Sequence, residues 1–439
     1  MVTIKSEGGT GKILIIGQTL DKLTGGGITI SNLLSGIHSE NIAVITSPKQ
    51  APKTNDEFCR RVYQLGTEEL KVKFPLSLLY PAYKSGPVKV IEQNSNRLSI
   101  ENSKRVTARA IFITLAHFFG IYHFLYKLEL SGKLRTWIQE FNPDFIYTQL
   151  STRELINFTE VITNEYKKPL IIHIMDDWLL TINKVGIFRH MWDRIIDKEF
   201  RNLLKLTNSR LCISDAMSEE YSKRFGGSWL SFHNPVMNER WIPFQKNTYT
   251  KGLVFKILYS GRIGNANINS ILAFCELINE LKRNGMSIVF SIYSPEYNLE
   301  KFRKYDDSPA ILLNKPLKHD EMPELYSKFD LLFLPIDFDK LSIKFTRFSM
   351  PTKMSEYMIS GVPILIHAPE EIAIVKFAAK YNIAIISSKN GIGSLREILL
   401  DLINNDEARQ KVALNAVSVA SDKFDGIKVR KNFQSLFMK

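Results

Sequence analysis

Three side chains of complementary chemistry lie on one face of a short predicted helix in the last quarter of the chain. Lys353 and Glu356 are three residues apart and Ser360 follows four residues later, so a helix brings them to the same side. A cation near the positive end of a helix, with a carboxylate close by, suits a ligand that carries phosphates and sugar hydroxyls. An ordinary surface salt bridge between Lys353 and Glu356 is the competing interpretation.

A second cation follows the end of a predicted strand. Residues 255–260 are an apolar run, and Gly261-Arg262-Ile263-Gly264 turns the chain into a helix predicted at about 269–284. From such a turn the Arg262 guanidinium can hold a diphosphate through two parallel hydrogen bonds. A structural ion pair of Arg262 is the alternative that the sequence leaves open.

Two adjacent carboxylates follow the predicted strand at residues 169–175. Asp176 and Asp177 come directly after its last residue. Ligands of open α/β sheets bind outside the carboxyl ends of strands, so a carboxylate there is well placed to accept a hydroxyl proton or to orient an acceptor. Either aspartate alternatively caps the next helix. His173 lies inside the strand and is predicted to be a buried histidine rather than a catalyst.

Three consecutive glycines follow the first predicted strand, at residues 12–16. Gly25, Gly26 and Gly27 are predicted to form a turn that feeds a helix, where glycine amides can approach an anion closely. Their spacing matches neither the dinucleotide-binding fingerprint nor the P-loop. Two interpretations remain, a loop that closes on phosphates and a plain flexible turn.

The same alternation of strands and helices occurs in both halves of the chain. Around Lys353, a strand at 331–335, a helix of about three turns between Pro351 and Gly361, and a strand at 362–366 form a βαβ unit. We therefore predict an α/β fold with two Rossmann-like domains of parallel sheets. The predicted divisions are a flexible lead-in at 1–11, an N-terminal domain at 12–240, a linker at 241–252, a C-terminal domain at 253–425 and a last helix at 426–439 that packs back on the N-terminal domain.

The charge balance points to an anionic partner. The 439 residues include 58 Lys and Arg against 45 Asp and Glu, a formal net charge of +13. No nucleic-acid-binding signature accompanies this surplus, so a phosphorylated substrate or a phospholipid surface fits better than nucleic acid. Three widely spaced cysteines show no metal-ligand pattern and suit a reducing compartment, and the first residues lack a signal-peptide core.

An aromatic-rich apolar run with basic flanks lies at residues 104–135. It contains His117, Gly120 and His123 and is short for a membrane span. Two interpretations remain open, a helix buried against the sheet and an interfacial segment that rests on anionic lipid.

Several of these motifs together resemble the GT-B glycosyltransferases of the retaining family 4 type, which act in bacterial surface polysaccharide synthesis. The most specific motif is Pro351-Thr-Lys-Met-Ser-Glu-Tyr-Met-Ile-Ser-Gly-Val-Pro363. The likeness runs over most of the chain. The other motifs are Gly25-Gly26-Gly27, Met175-Asp-Asp-Trp178, Ile213-Ser-Asp-Ala-Met217, Asn234-Pro235 and Tyr259-Ser-Gly-Arg262.

The resemblance implies a GT-B fold with two facing Rossmann-like domains, the C-terminal one for a nucleotide diphosphate sugar and the N-terminal one for the acceptor. By this likeness Glu356 holds the ribose hydroxyls, and Arg262 and Lys353 neutralise the diphosphate leaving group. No metal ion and no cofactor besides the donor substrate are expected. The remaining implied site residues are Ser349, Thr352 and Gly25 to Gly27 on the donor, with Asp176 and Asp177 on the acceptor side.

Three positions depart from the family pattern. Phe348 stands where the first glutamate of a Glu-x7-Glu pair is usual. Asn267 replaces a lysine five residues after the arginine, and Met175 replaces a histidine before Asp176. The sugar end of the donor therefore has no assigned partner, and the diphosphate depends more on Lys353.

We therefore expect a metal-independent glycosyltransferase that transfers a sugar with retention from a nucleotide diphosphate sugar to a glycan precursor, expected to be lipid-linked. The expected location is the cytoplasm, with peripheral attachment to an anionic membrane surface at the inner face as an open possibility. Two alternatives to the transferase are kept: a sugar-nucleotide epimerase, and a non-catalytic GT-B subunit that binds glycan or scaffolds a partner.

Overall fold

The structure is a computed structural model that describes residues 9–22, 24–54, 57–88, 103–180 and 186–439. The chain divides into two compact units, Met1–Phe232 together with Arg430–Lys439, and His233–Val429. The predicted lead-in at 1–11 lies mostly outside the described residues. The predicted linker at 241–252 lies within the second unit, where Lys246 N donates a hydrogen bond to Ser360 O over 3.0 Å.

The first unit is built on a sheet whose strands are nearly all parallel. Its strands are β1 (Ile13–Ile16), β2 (Ile42–Thr46), β3 (Arg61–Gln64), β4 (Leu70–Val72), β5 (Gly86–Val88), β6 (Tyr126–Leu128), β7 (Phe145–Thr148), β8 (Leu170–Ile174), β9 (Thr207–Cys212) and β10 (Leu230–Ser231). The main sheet has the order β10-β9-β8-β7-β1-β2-β3-β5, in which only the edge strand β5 is antiparallel. Strands β4 and β6 form a separate antiparallel pair.

Helices of the first unit follow its strands in the chain. They are α1 (Gly25–Leu34), α2 (Ser103–Phe118), α3 (Tyr122–Leu125), α4 (Gly132–Phe141), α5 (Arg153–Tyr166), α6 (Arg189–Lys205) and α7 (Asp215–Phe225). The central strands β1, β2 and β8 are buried along their whole length, as expected of parallel strands with both faces covered.

The second unit repeats this construction with a six-stranded parallel sheet. Its strands are β11 (Phe255–Ser260), β12 (Ile288–Tyr293), β13 (Ile311–Asn314), β14 (Leu331–Pro335), β15 (Ile364–His367) and β16 (Ile385–Ser387), in the order β13-β12-β11-β14-β15-β16. The helices are α8 (Asn238–Trp241), α9 (Ile268–Arg283), α10 (Glu296–Leu299), α11 (Met322–Ser327), α12 (Lys340–Thr346), α13 (Lys353–Ile359), α14 (Ala373–Tyr381), α15 (Ile392–Asn404) and α16 (Asp406–Lys423). The last helix, α17 (Gly426–Gln434), begins in the second unit and ends in the first.

Both sheets have the strand order of a Rossmann fold. Numbered within the second unit, the order reads 3-2-1-4-5-6, so the direction of winding reverses between β11 and β14. In the first unit it reverses between β1 and β7. Ligands of such sheets bind at the carboxyl ends of the strands beside this reversal. The prediction of two Rossmann-like parallel sheets is therefore confirmed.

The helix that carries Lys353 is shorter than predicted. It begins at Lys353 and spans seven residues, whereas the sequence predicted about three turns from Pro351. An additional helix that was not predicted, α12, precedes it, and the Asp339 carboxylate caps α12 by accepting hydrogen bonds from two backbone amides. Strands β14 and β15 on either side pair in parallel, which confirms the βαβ unit.

The apolar run at 104–135 folds into α2, α3, β6 and the start of α4. Ala116 and Gly120 are buried, but Ile111, Leu115 and Phe119 are exposed. The prediction that this run forms a helix buried against the sheet is therefore wrong in part, because one side of α2 is exposed. Within the described part of the chain, none of the helices is long and apolar enough to span a bilayer.

The last ten residues belong to the first unit. Arg430 Nε donates to Asn32 O over 2.6 Å, and Gln434 donates to Leu33 O and Ser35 O at the end of α1. Phe433 and Phe437 are fully buried there. The carboxyl end of the chain thus supplies part of the core of the first unit.

A buried arginine fixes the end of α15 in the second unit. The Arg409 side chain is 1% exposed, and its guanidinium donates to the carbonyl oxygens of Leu402, Ile403 and Tyr249 and pairs with Asp406. These bonds satisfy carbonyls that the end of a helix leaves without a partner. Arg409 therefore joins α15, α16 and the segment around Tyr249.

The substitution Arg409→Met is expected to lower the free energy of unfolding of the second unit by about 3 kcal/mol, because it leaves buried carbonyls without donors. Urea unfolding followed by circular dichroism measures this change. Arg396→Met is the matched control, since Arg396 makes a half-exposed pair with Glu280 at 2.7 Å that contributes less than about 1 kcal/mol. Equal losses in the two variants would show that Arg409 is not a special anchor.

Candidate functional site

The turn after β11 is held by a small hydrogen-bond network. The Tyr259 hydroxyl donates to Arg262 O over 2.6 Å, and Asn267 Nδ2 donates to the Tyr259 oxygen over 2.9 Å. Asn267 Oδ1 accepts from Gly264 N at 2.9 Å. Asn267, which departs from the family pattern, therefore shapes the turn that presents Arg262.

The Lys353 ammonium lies directly against this turn. Its nitrogen is 4.2 Å from the centre of the Tyr259 ring, and a Cβ atom on Gly261 would lie 2.6 Å from it. Gly261 also has a φ of +141°, which side chains other than glycine rarely adopt. The glycine is thus required both by the backbone conformation and by the approach of Lys353. Because Lys353 can approach Gly261, its side chain lies at the same turn as Arg262, although the two residues are far apart in sequence.

The two charged groups of the α13 motif do not form the surface salt bridge that was the alternative interpretation. Glu356 is buried, and its carboxylate lies 3.7 Å from His319 Nδ1. No ion pair joins Lys353 to Glu356 in the part of the chain that the structure describes. His319 was not predicted as a site residue, because nothing in the sequence links it to a helix that begins 34 residues later.

Burial shifts the ionisation of both groups. Loss of solvent lowers the pKa of Lys353 to about 7, although the nearby Glu356 carboxylate opposes the shift. Loss of solvent also raises the pKa of Glu356 to about 7, with Lys353 and Arg240 opposing. An anionic ligand beside Lys353 would restore its charged form.

Arg262 is exposed at the surface of the second unit. Among the described residues, no carboxylate pairs with its guanidinium within 4 Å, which removes support from the structural ion-pair interpretation. The amide groups at the start of α9 are not available to a phosphate, because Asp337 accepts from Asn269 N at 3.0 Å and from Ser270 N at 2.7 Å. A diphosphate at this turn would therefore depend on side-chain cations.

The other predicted donor residues lie around the start of α13. The Thr352 carbonyl accepts from Asn234 Nδ2 over 3.1 Å, so the Asn234-Pro235 motif anchors this segment. The Ser349 hydroxyl lies 3.5 Å from Phe345 O. Phe348, at the position of the missing glutamate, packs under the guanidinium of Arg347, 5.4 Å from its ring centre. The donor roles of Ser349 and Thr352 stay predictions.

In the first unit, the three glycines form the first turn of α1 itself rather than a flexible turn before it. The Thr24 hydroxyl accepts from Gly27 N over 3.1 Å, and Thr24 N donates to Asp21 at 2.6 Å. A Cβ atom on Gly26 would lie 2.6 Å from Gln149 Oε1, and one on Gly27 would lie 2.4 Å from the Asp21 carboxyl group. Close packing by polar side chains therefore explains Gly26 and Gly27. The phosphate contact of this segment stays a prediction.

The two aspartates after β8 have different surroundings. Asp177 is fully buried, and its Oδ1 accepts from the Tyr221 hydroxyl at 2.9 Å and from Arg224 at 2.8 Å. This ion pair gives Asp177 a structural role. Asp176 is partly exposed, so it is the better placed of the two to meet an acceptor, and its role stays a prediction.

His173 is fully buried within β8, as predicted. Its Nδ1 lies 2.8 Å from the Tyr147 oxygen, which in turn accepts from Gln149 Nε2 at 3.0 Å. Gln149 reaches Gly26 at the start of α1. These polar side chains connect β8, β7 and α1 at the reversal point of the first sheet.

Comparison with solved structures finds proteins of the same fold over nearly the whole chain. The HepE protein of Anabaena, solved with UDP and glucose, superposes with a TM-score of 0.58 at 12% identity over 97% of this chain and 99% of that chain. Sucrose-phosphate synthase of Thermosynechococcus elongatus gives 0.62 at 8% identity over 97% and 98%. The apo lipopolysaccharide outer core galactosyltransferase WaaB gives 0.51 at 13% identity over 96% and 98%.

The chain has the GT-B fold. Comparison of its sequence with protein-family models and with curated proteins finds no match. At identities of 8 to 13%, the structural likeness establishes the fold and leaves the activity to the residues of the site. In this GT-B protein, the turn at Gly261, with Lys353, Arg262 and Glu356 around it, is the best-defined candidate site.

The affinity for a nucleotide diphosphate sugar is expected to fall as the pH rises from about 6 to about 9. Lys353 in the free protein has a lowered pKa, so above about pH 7 binding of the diphosphate must take up a proton. The decrease is at most about tenfold per pH unit. Calorimetric titration with a diphosphate sugar, whose phosphates do not titrate in this range, measures it.

Lys353→Met should bind more weakly than the wild type at about pH 6 and should show no such decrease. If the wild-type slope persists in Lys353→Met, then another group, such as Glu356 with its raised pKa, governs the pH dependence and Lys353 does not contact the diphosphate.

Proposed function

We propose that this GT-B protein is a glycosyltransferase that moves a sugar, with retention of anomeric configuration, from a nucleotide diphosphate sugar to a glycan precursor. The observation that carries the proposal is the convergence of Lys353 and Arg262 on Gly261, beside the reversal point of a Rossmann sheet. We assign Glu356, one turn along α13, the role of accepting hydrogen bonds from ribose hydroxyls. The three groups together match the parts of a nucleotide diphosphate.

The chemistry explains why cations are needed. In the transfer, the bond between the sugar C1 and the diphosphate oxygen breaks, and the electron pair stays on the diphosphate. A new bond forms between C1 and the acceptor hydroxyl oxygen, whose proton leaves to a base. Lys353 and Arg262 stabilise the charge that gathers on the departing diphosphate, so we propose that no metal ion takes part. Asp176 is the proposed acceptor-side carboxylate.

The comparisons support this reading at the level of the fold. HepE was solved with UDP and glucose, and WaaB is described as a galactosyltransferase of the lipopolysaccharide outer core. We propose by analogy that the acceptor here is a lipid-linked glycan precursor of a cell-surface polysaccharide and that the protein works at the cytoplasmic face of the membrane. Attachment there would be peripheral.

Removal of the donor-site groups is expected to abolish most of the turnover. Arg262→Ala and Lys353→Ala should each lower kcat by about 10²-fold to 10³-fold, because each removes one stabilising group from the leaving diphosphate. Glu356→Ala should mainly raise KM for the donor. Release of nucleoside diphosphate in the presence of a glycan acceptor is the measurement.

Arg303→Ala is the matched control, because Arg303 is an exposed arginine of the same unit that lies outside the site. Its turnover should equal that of the wild type. Wild-type rates in both Lys353→Ala and Arg262→Ala would show that the turn at Gly261 is not the donor site.

A screen of nucleotide sugars separates transfer from the two alternative functions. The correct donor at 100 times its Kd should stabilise the protein by about 2.7 kcal/mol, seen as a rise in melting temperature. Conversion of the donor sugar without any acceptor would identify an epimerase instead. Stabilisation by glycans alone, with no response to any nucleotide sugar, would identify a non-catalytic binding subunit.

A further inference from the structure

The first unit exposes a group of large apolar side chains drawn from three separate segments. Phe74 is 74% exposed, Leu78 is 70% exposed and Ile187 is 64% exposed. Large apolar clusters of this kind on a folded protein mark an interaction surface. The remaining members are Ile111, Leu115, Phe118, Phe119, Ile121, Phe124, Phe188 and Met191. We call residues 71–84, 107–128 and 186–191 together the apolar-basic surface.

Helix α2 supplies the regular part of this surface. Ile111, Leu115 and Phe118 are spaced four and three residues apart, so they lie on one side of the helix, and Phe119 directly follows its last residue. A surface helix normally turns its polar side outward. Here the outward side is apolar and the buried side faces the unit at Ala116.

Hydrogen bonds and ring contacts join the three segments. Ile187 N donates to Phe118 O over 2.9 Å, and Lys73 N donates to Leu125 O over 2.8 Å. The Phe124 ring lies 5.1 Å from that of Trp192, in the same helix as Met191. The exposed side chains therefore belong to one continuous region rather than to scattered positions.

The charge of these segments is of one sign. They contain six Lys and Arg and no Asp or Glu, which accounts for +6 of the formal +13 of the chain in about a tenth of its length. One of the six, Lys127, pairs with Glu129 just outside the surface at 2.7 Å. The others are Lys71, Lys73, Lys84, Arg109 and Arg189.

A cavity of about 480 Å³ opens within the same region. Its lining includes Lys71, Lys73, Ser77 and Tyr80, so ammonium and hydroxyl groups lie beside the exposed Phe74 and Leu78. The Arg109 guanidinium packs on the Tyr80 ring, 5.6 Å from its centre. Donors for a phosphate group are thus present at the edge of the apolar side chains.

We propose that the apolar-basic surface docks on an anionic lipid bilayer, with the apolar side chains in the interfacial layer and lipid phosphates at Lys71, Lys73 and Arg189. Apolar side chains surrounded by basic residues, with no acidic residue among them, fit the combination of hydrocarbon and negative phosphates that such a bilayer presents. A nucleic acid would match the charge but not the exposed phenylalanines. The proposal names the surface through which the proposed enzyme would reach a lipid-linked acceptor.

Flotation of the full-length protein with vesicles tests the docking without any sugar donor, so its failure leaves the transferase assay untouched. The protein should float with vesicles that contain phosphatidylglycerol and phosphatidylcholine and stay at the bottom with phosphatidylcholine alone. Added salt should weaken the binding. Equal flotation with both kinds of vesicle, or none with either, would overturn the proposal.

Two pairs of variants locate the surface. Ile111→Ser/Ile187→Ser should abolish flotation, whereas Leu253→Ser/Leu312→Ser, at exposed positions of the second unit, should not change it. Lys73→Glu should weaken binding at least about fivefold, as expected for each basic charge lost near the bilayer, whereas Lys301→Glu should not. Melting temperatures of all variants should match the wild type, since the altered side chains are exposed.

Two further results would overturn the proposal. A dimer in solution that Ile111→Ser/Ile187→Ser disrupts, in a protein that never floats, would assign the surface to a second copy of the chain. A loss of flotation in Lys301→Glu equal to that in Lys73→Glu would show that binding depends on overall charge rather than on this surface.

Discussion

The candidate donor site depends on one ammonium group held partly out of water beside a glycine. Lys353 approaches Gly261 so closely that any side chain at that position would collide with it, and the lost hydration lowers its pKa. An anion beside Lys353 would therefore favour the protonated, charged form of its side chain. Tyr259 and Asn267 serve the same end, because they fix the turn that carries the second cation, Arg262. The proposed phosphate binding therefore rests on electrostatics, from the cations of Lys353 and Arg262.

The sequence predicted the sheets better than it predicted the helices around them. Buried parallel strands are continuous apolar runs, and β14 has the bounds that the sequence indicated, Leu331–Pro335. Helix α13 was overestimated because Pro351 and Gly361 resemble start and stop signals, whereas the chain enters the helix only at Lys353. The cap at Asp339 was a usable signal for α12, but seven residues are too few to show a periodic pattern.

Within the candidate site, the sequence predicted a set of residues but not the contacts that they make. Asp176 and Asp177 are neighbours of the same type, and only the distant Arg224 and Tyr221 distinguish them by taking Asp177 into a buried ion pair. Asn267 was recognised only as a substitution for lysine, since its bonds to Tyr259 and Gly264 exist only in the folded turn. His319 approaches Glu356 from another segment, which no spacing rule anticipates.

The last ten residues affect the order in which the two units can fold during synthesis. Phe433 and Phe437 fill the core of the first unit beside Tyr147 and Phe145, although some two hundred residues of the second unit are translated before them. On the ribosome, where domains tend to fold in the order of their synthesis, the second unit is therefore the first that can be complete. The first unit cannot complete its core until residues 430–439 have been synthesised. A truncation that removes these residues would thus harm the half of the protein that was made earliest.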